Sequence, residues 1–82
     1  HMAKDLRISF LLDFYGDMLT DTQREVVDAY YLQGKKLETI ARELGVAPST
    51  VCRHLQAARR RLRALAEQAE ELRRSQREIP GP

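Results

Sequence analysis

The sequence predicts an all-α fold, a four-helix helix-turn-helix domain that ends in a long C-terminal helix. From residue 37 onwards apolar residues recur at three- and four-residue spacing, which is the period of an amphipathic helix. Gly45 interrupts this period once, and no helix breaker follows Pro48 until Pro80. Eighty-two residues suffice for one small domain. We therefore expect a single domain over residues 3–78, with the motif at 37–62, and a disordered tail at 79–82.

The first helix is predicted over residues 5–15, and Gly16 ends it. Its apolar residues are Leu6, Ile8, Phe10, Leu11, Leu12, Phe14 and Tyr15. These residues occupy more than one side of a helix, so other parts of the protein must cover it.

The second helix is predicted over residues 21–33. Thr20 and Gln23 form a capping box, in which each side chain can bond the backbone N–H of the other residue. Gly34 stops this helix. Its apolar stripe consists of Val26, Val27, Tyr30 and Tyr31.

The third and fourth helices form the helix-turn-helix motif. The third covers Leu37–Leu44, and the small side chain of Ala41 allows it to cross the next helix closely. Gly45 can adopt the positive φ that terminates a helix. Pro48 suits the first turn of the fourth helix, where its missing N–H is not needed.

The fourth helix carries a heptad-like seam, made of Val51, Leu55, Ala58, Leu62, Leu65, Ala69 and Leu72. The first half of this seam must serve the core of the motif. The second half, from Leu65 through Ala69 to Leu72, must pack on helix one, through Phe10 and Phe14, or on a second copy of the chain. Of the two, we prefer the homodimer.

Positive charge is concentrated on the motif. Residues 35–63 carry eight Lys and Arg against Glu38 and Glu43, a net charge of +6, whereas residues 1–34 carry −3 and residues 64–82 carry −1. Clustered Lys and Arg bind a nucleic-acid backbone because they release its condensed counterions. The alternative explanation is a solvated helix face.

Several functional classes have no support in the sequence. The single Cys52, with only His54 nearby, cannot form a disulfide or a zinc site, and no catalytic triad or glycine-rich phosphate loop is present. No apolar run approaches the roughly 18 residues of a membrane span. We therefore expect a cytoplasmic protein that is not an enzyme, without metal, cofactor or small-molecule ligand.

Two protein families have similar residues. Region 4 of sigma-70-type factors, which reads the −35 promoter element, resembles residues 19–63 at Leu19-Thr20, 23–27 (QREVV), Tyr30-Tyr31, Gly34, 40–46 (IARELGV), Thr50-Val51, Ala58 and Leu62-Arg63. The small YlxM-like proteins, sigma-region-4-like proteins encoded beside signal recognition particle genes, resemble the opening, from Ile8 through 11–16 (LLDFYG) to Thr20 and Gln23-Arg24. Residues 46–54 (VAPSTVCRH) and 59–63 (RRRLR) are more similar to stand-alone sigma-like regulators.

The motif and the resemblance both imply a sequence-specific DNA-binding regulator of transcription, with the fourth helix as a recognition helix in the major groove. The candidates for base contacts are Ser49, Thr50, Arg53 and His54. Arg53 is the first choice, because its planar fork can bond guanine O6 and N7 together. A phosphate contact is the alternative for Arg53, and support of the helix start is the alternative for Thr50. His54 has two alternatives, a phosphate contact and packing, of which packing is preferred.

Six further residues are predicted to contact the DNA backbone: Lys35, Lys36, Arg42, Gln56, Arg59 and Arg60. The competing hypothesis is a protein-interaction module. The resemblance to sigma region 4 implies RNA polymerase as its partner, and the resemblance to YlxM-like proteins implies a signal recognition particle context. Arg53→Ala discriminates between the two, since it should remove DNA site preference and leave a protein partner bound.

Overall fold

The computed structural model describes residues 6–77. These residues form four α-helices and no strand, which confirms the all-α helix-turn-helix prediction. The helices are α1, Leu6–Tyr15; α2, Asp21–Val27; α3, Leu37–Leu44; and α4, Pro48–Arg77. The predicted start of the first helix at Asp5 and the predicted disorder of residues 79–82 lie outside the described residues.

The connection between α1 and α2 is a single 3₁₀ turn, Gly16–Met18, followed by the predicted capping box. The backbone N–H of Thr20 donates to Oε1 of Gln23, and the backbone N–H of Gln23 donates to Oγ1 of Thr20, both at 3.1 Å. Gly16 is buried beneath Arg24, and a Cβ at residue 16 would lie 2.4 Å from Nη1 of that arginine. A side chain at residue 16 would therefore require the flexible end of Arg24 to shift.

The second helix differs from its prediction at its C-terminal end. After Val27 the backbone widens into a π-helical turn, Asp28–Leu32, in which the N–H of Gln33 donates to the carbonyl of Asp28 at 3.0 Å. Apolar spacing cannot distinguish this turn from a continued α-helix, because it adds only one residue to the repeat. The turn buries Ala29 and leaves Tyr30 and Tyr31 half-buried.

The turn between α3 and α4 has the conformation that was predicted from Gly45. Gly45 has a φ of 71°, in the left-handed region. Its N–H donates to the carbonyl of Arg42 at 3.3 Å, and the N–H of Val46 donates to the carbonyl of Ala41 at 3.0 Å. These bonds satisfy the carbonyls at the end of α3. Pro48 is the first residue of α4, as predicted.

All four helices contribute to one core. Its largest fully buried side chains are Ile8, Leu12, Val26, Val27, Ile40, Val51 and Leu62, and Ala41 is buried among them. The helix α4 runs through this core and, with 30 residues, is about 45 Å long. The start of α4, which follows the turn of the motif, and the end that packs on α1 are therefore joined by one helix.

Helix α1 lies along the second half of α4. The groove between them is lined by Phe10, Leu11 and Phe14 from α1 and by Ala66 and Ala69 from α4. Within the same chain, Leu65 is buried, Ala69 is half-buried and Leu72 is exposed. The predicted seam is thus only partly covered inside a single chain.

The distal end of α4 neutralises its own charges. Glu70 pairs with Arg73 and with Arg77, and Glu71 pairs with Arg74 at 3.5 Å. The hydrogen bond and the charge of Arg73 hold the pKa of the Glu70 carboxyl below its usual range. The arginines between residues 64 and 77 are therefore paired with carboxylates, whereas the exposed Lys36, Arg42, Arg53 and Arg60 lie on or beside α3 and the first half of α4.

Candidate nucleic-acid interface

The outer face of α4 carries a row of polar side chains at steps of four, three and four residues. These are Ser49, Arg53, Gln56 and Arg60, which we call the recognition stripe. A helix places such positions on one side, here the side opposite the buried seam. All four side chains are exposed. The stripe gathers four of the residues predicted to contact DNA onto one surface.

Arg53 is held in place by its neighbour on the preceding turn. Nη2 of Arg53 donates to Oγ1 of Thr50 at 3.0 Å. Thr50 is half-buried, and its own N–H donates to the carbonyl of Ala47 at 3.0 Å in the first turn of α4. A guanidinium fork that is already oriented loses less side-chain entropy when it binds. Thr50 therefore contacts Arg53 directly and helps to orient its guanidinium group.

His54 and Cys52 lie on the two flanks of α4 between the stripe and the core. Both are half-buried, so neither side chain is fully presented to a ligand. The packing alternative for His54 is compatible with this position, and its role in base contact stays a prediction.

Two exposed cations belong to α3 and its N-cap: Lys36, immediately before the helix, and Arg42 in its last turn. Within residues 6–77 neither of them pairs with a carboxylate. Lys35 differs, because its Nζ lies 2.8 Å from Oε1 of Glu43. Sequence spacing of eight residues gave no signal for this pair, which forms only when the loop before α3 folds back on the helix. Of the three cations, Lys36 and Arg42 are the better placed for phosphate.

Arg59 lies off the recognition stripe, on the flank of α4 that meets the π-helical turn. Its Nε donates to the hydroxyl of Tyr31 at 2.8 Å, and its Cζ lies 5.7 Å from the centroid of that ring. The two residues are 28 positions apart, so the sequence could not reveal the pair. The tyrosine thus restrains an arginine that was predicted to contact the DNA backbone.

The arrangement of cationic and polar side chains is suited to bind a polyanion that exposes hydrogen-bonding groups. An α-helix fits the major groove of DNA, and Arg, Ser and Gln side chains can bond base edges or phosphates there. In the part of the chain that the structure describes, no three His, Cys, Asp or Glu side chains converge into a metal site. No helix between residues 6 and 77 has both the length and the apolar character needed to cross a membrane.

Comparison with known proteins identifies related chains. The family model described as Sigma-70, region 4 matches residues 16–62. A UPF0122 protein of Clostridium kluyveri is 42% identical over 50 residues, which cover 61% of this chain and 45% of the relative. A UPF0122 protein of Symbiobacterium thermophilum is 47% identical over 45 residues, covering 55% and 42%. One from Halalkalibacterium halodurans is 37% identical over 70 residues, covering 85% and 61%. The chain thus spans about half the length of these relatives.

Proposed function

The chain belongs to the sigma-70 region 4 family, and on that premise we propose that it is a sequence-specific DNA-binding regulator of transcription. The family is a DNA-binding helix-turn-helix type and is not known as an enzyme family. In the proposed complex α4 lies in the major groove, where Ser49 and Arg53, near its start, meet base edges. The supporting observation is the recognition stripe, with Arg53 already oriented by Thr50.

Phosphate contacts would supply most of the affinity in this complex. Lys36 and Arg42 from α3 and Arg60 from the stripe are exposed, and Lys or Arg that neutralise phosphates release counterions. Lys35 and Arg59 can add to this only if they leave or share their partners Glu43 and Tyr31. Affinity and sequence preference therefore depend on different residues.

Selection of bound duplexes from a random DNA pool, at two salt concentrations, tests the proposal. We expect a shared motif that survives the higher salt, since base contacts depend less on salt than phosphate contacts do. Arg53→Ala should lose preference at one position of that motif. The matched control is Arg74→Ala, which removes an exposed but ion-paired arginine from the distal end of α4 and should select the parent motif.

Sequence-blind binding that disappears with salt would contradict the proposal. In that case the rival hypothesis, a module that binds RNA polymerase or acts in a signal recognition particle context, becomes the better explanation. Arg53→Ala distinguishes the two in a second way. It should leave binding to a protein partner unchanged while it alters selection from the DNA pool.

A further inference from the structure

The pair of Arg59 and Tyr31 joins α4 to the π-helical turn that follows α2. Nε of Arg59 donates to the hydroxyl oxygen of Tyr31, the guanidinium lies over the ring of the same tyrosine, and both side chains are half-buried. That ring in turn meets the ring of Tyr30 edge to face, with centroids 5.0 Å apart. Single π-helical turns are rare and occur frequently at functional sites. The turn that departs from regular α-helix is thus the one that restrains this arginine.

The partner of Arg59 is a neutral hydroxyl, so the pair orients the arginine without cancelling its charge. Arginines near the end of α4 are held by acids instead, as Arg74 is by Glu71 at 3.5 Å. Between residues 6 and 77 no carboxylate forms an ion pair with Arg59. A carboxylate would compete with phosphate for the guanidinium, because both are anions that bind its fork. The charge of Arg59 therefore remains available to an anion from outside the chain.

The bond to Tyr31 also determines which edge of the guanidinium can bind an anion. The group carries its N–H donors in a planar fork, one on Nε and two on each Nη. An oxyanion can bond two parallel donors from the side, through Nε and one Nη, or from the end, through Nη1 and Nη2. The Nε–H of Arg59 is used by Tyr31, whereas neither Nη bonds another side chain in the part of the sequence that the structure covers. The end of the fork is therefore the edge left for a ligand.

The position of Arg59 on α4 suits a phosphate better than a base. Arg59 follows Arg53 by six residues, so at about 3.6 residues per turn it lies about a third of a turn round the helix and about 9 Å further along it. The major groove is about 12 Å wide, little more than the diameter of a helix. Side chains on the flank of a helix that lies in the groove therefore meet the phosphates along its border, while those of the recognition stripe meet base edges.

From these observations we propose that Tyr31 is a positioning residue, which holds Arg59 so that Nη1 and Nη2 bind a phosphate of the DNA backbone from the end. The inference rests on the proposed function, because the phosphate is within reach only when α4 lies in the groove. Arg59 keeps its bond to Tyr31 in the complex and so loses less side-chain freedom on binding. The π-helical turn thereby contributes to DNA affinity through an arginine of another helix.

A salt titration of binding to the duplex selected from the random pool tests the arginine. Arg59→Gln keeps much of the side chain and removes its charge. The slope of log affinity against log salt should then become shallower by about 1, the value for one phosphate contact. Arg74→Ala, which removes an ion-paired arginine, should keep the slope of the parent. An unchanged slope for Arg59→Gln would overturn the proposal.

Tyr31→Phe tests the positioning. Phenylalanine keeps the ring and removes the hydroxyl that accepts from Nε, so Arg59 retains its charge and loses its restraint. Affinity should fall by at most about 12-fold at an unchanged salt slope, and Tyr31→Phe should cause no loss in the Arg59→Gln background. Tyr15→Phe, at a half-buried tyrosine of α1, is the matched control and should bind as the parent does. An equal loss in both backgrounds, or no loss in either, would refute the role of Tyr31.

Arg59→Lys separates the charge from the fork. It should keep the slope of the parent and lose affinity, because an ammonium group lacks the two parallel N–H donors of the guanidinium. A lysine variant that binds as tightly as the parent would exclude the end-on bond. Circular dichroism of every variant checks that the helices are intact.

Failure of this inference can be told apart from failure of the proposed function. A parent chain that selects no shared motif contradicts the proposed function, and the phosphate contact with it. A parent that selects a motif through Arg53, while Arg59→Gln keeps the slope of the parent, contradicts only the role of Arg59 and Tyr31.

Discussion

Thr50→Val should reduce DNA affinity through Arg53 and not through the DNA contact of residue 50 itself. Valine keeps the branched shape of threonine and removes Oγ1, the atom that accepts the hydrogen bond from Nη2 of Arg53 at 3.0 Å. The guanidinium would then be free to adopt other rotamers in the unbound protein. Binding would have to order it again.

The size of the effect follows from the single bond that is lost. A hydrogen bond of this kind contributes about 0.5–1.5 kcal/mol net, and since it orders the guanidinium before binding, its loss should reduce affinity by at most about 2- to 12-fold. Loss of the whole arginine should cost more, about 1–3 kcal/mol or 5- to 140-fold, if it forms a bidentate contact with guanine. In the Arg53→Ala background, Thr50→Val should therefore change affinity very little.

Fluorescence anisotropy of the selected duplex and of a shuffled duplex, at one salt concentration, measures the DNA affinity of four proteins. They are the parent, Thr50→Val, Arg53→Ala and the double variant. Thr22→Val, on the exposed first turn of α2, is the control for the substitution itself and should bind as the parent does. If Thr50→Val causes the same loss with and without Arg53, the hydroxyl contacts DNA directly and the reasoning about Arg53 fails.

Three further predictions concern the turn, the core and the phosphate contacts. Gly45→Ala should lower the free energy of unfolding by about 1–2 kcal/mol in a urea titration, because its φ of 71° strains any residue with a Cβ; no loss would mean that the turn can relax. Ala41→Leu should cost about 1–3 kcal/mol in the same titration, since residue 41 is buried between packed helices. Arg60→Ala should make the slope of log affinity against log salt shallower by about 1, whereas an unchanged slope would show that Arg60 does not contact phosphate.

The sequence predicted the helices well because the signals that define them are local. The capping box at Thr20 and Gln23, the left-handed Gly45 and the starting Pro48 each act within a few residues, and all three occur in the structure as expected. The apolar period likewise predicted which face of α4 enters the core. The π-helical turn was missed because its extra residue leaves the apolar pattern of α2 almost unchanged.

The arrangement of the candidate site could be predicted only in part. Their spacing of seven residues is enough to place Arg53 and Arg60 on one face of α4. The restraint of Arg59 by Tyr31 and the pairing of Lys35 with Glu43 depend on how α2 and the loop before α3 pack, which no local pattern encodes. In the sequence, Arg59 and Lys35 were therefore equivalent to the exposed cations. The structure distinguishes them, because each has a partner side chain.

The continuity of α4 has a mechanical consequence. Because one unbroken helix carries both Ser49, at the recognition end, and Ala66, beside α1, the molecule has no hinge between these two regions. About 25 Å of helix separates them, so a tilt of about 10° near Ala66 would swing the recognition end by about 4 Å. That displacement exceeds the 3.4 Å rise of one base-pair step. Because α4 shares one core with the other helices, such a tilt would move the whole domain, and in the proposed complex it would change which bases the start of α4 can reach.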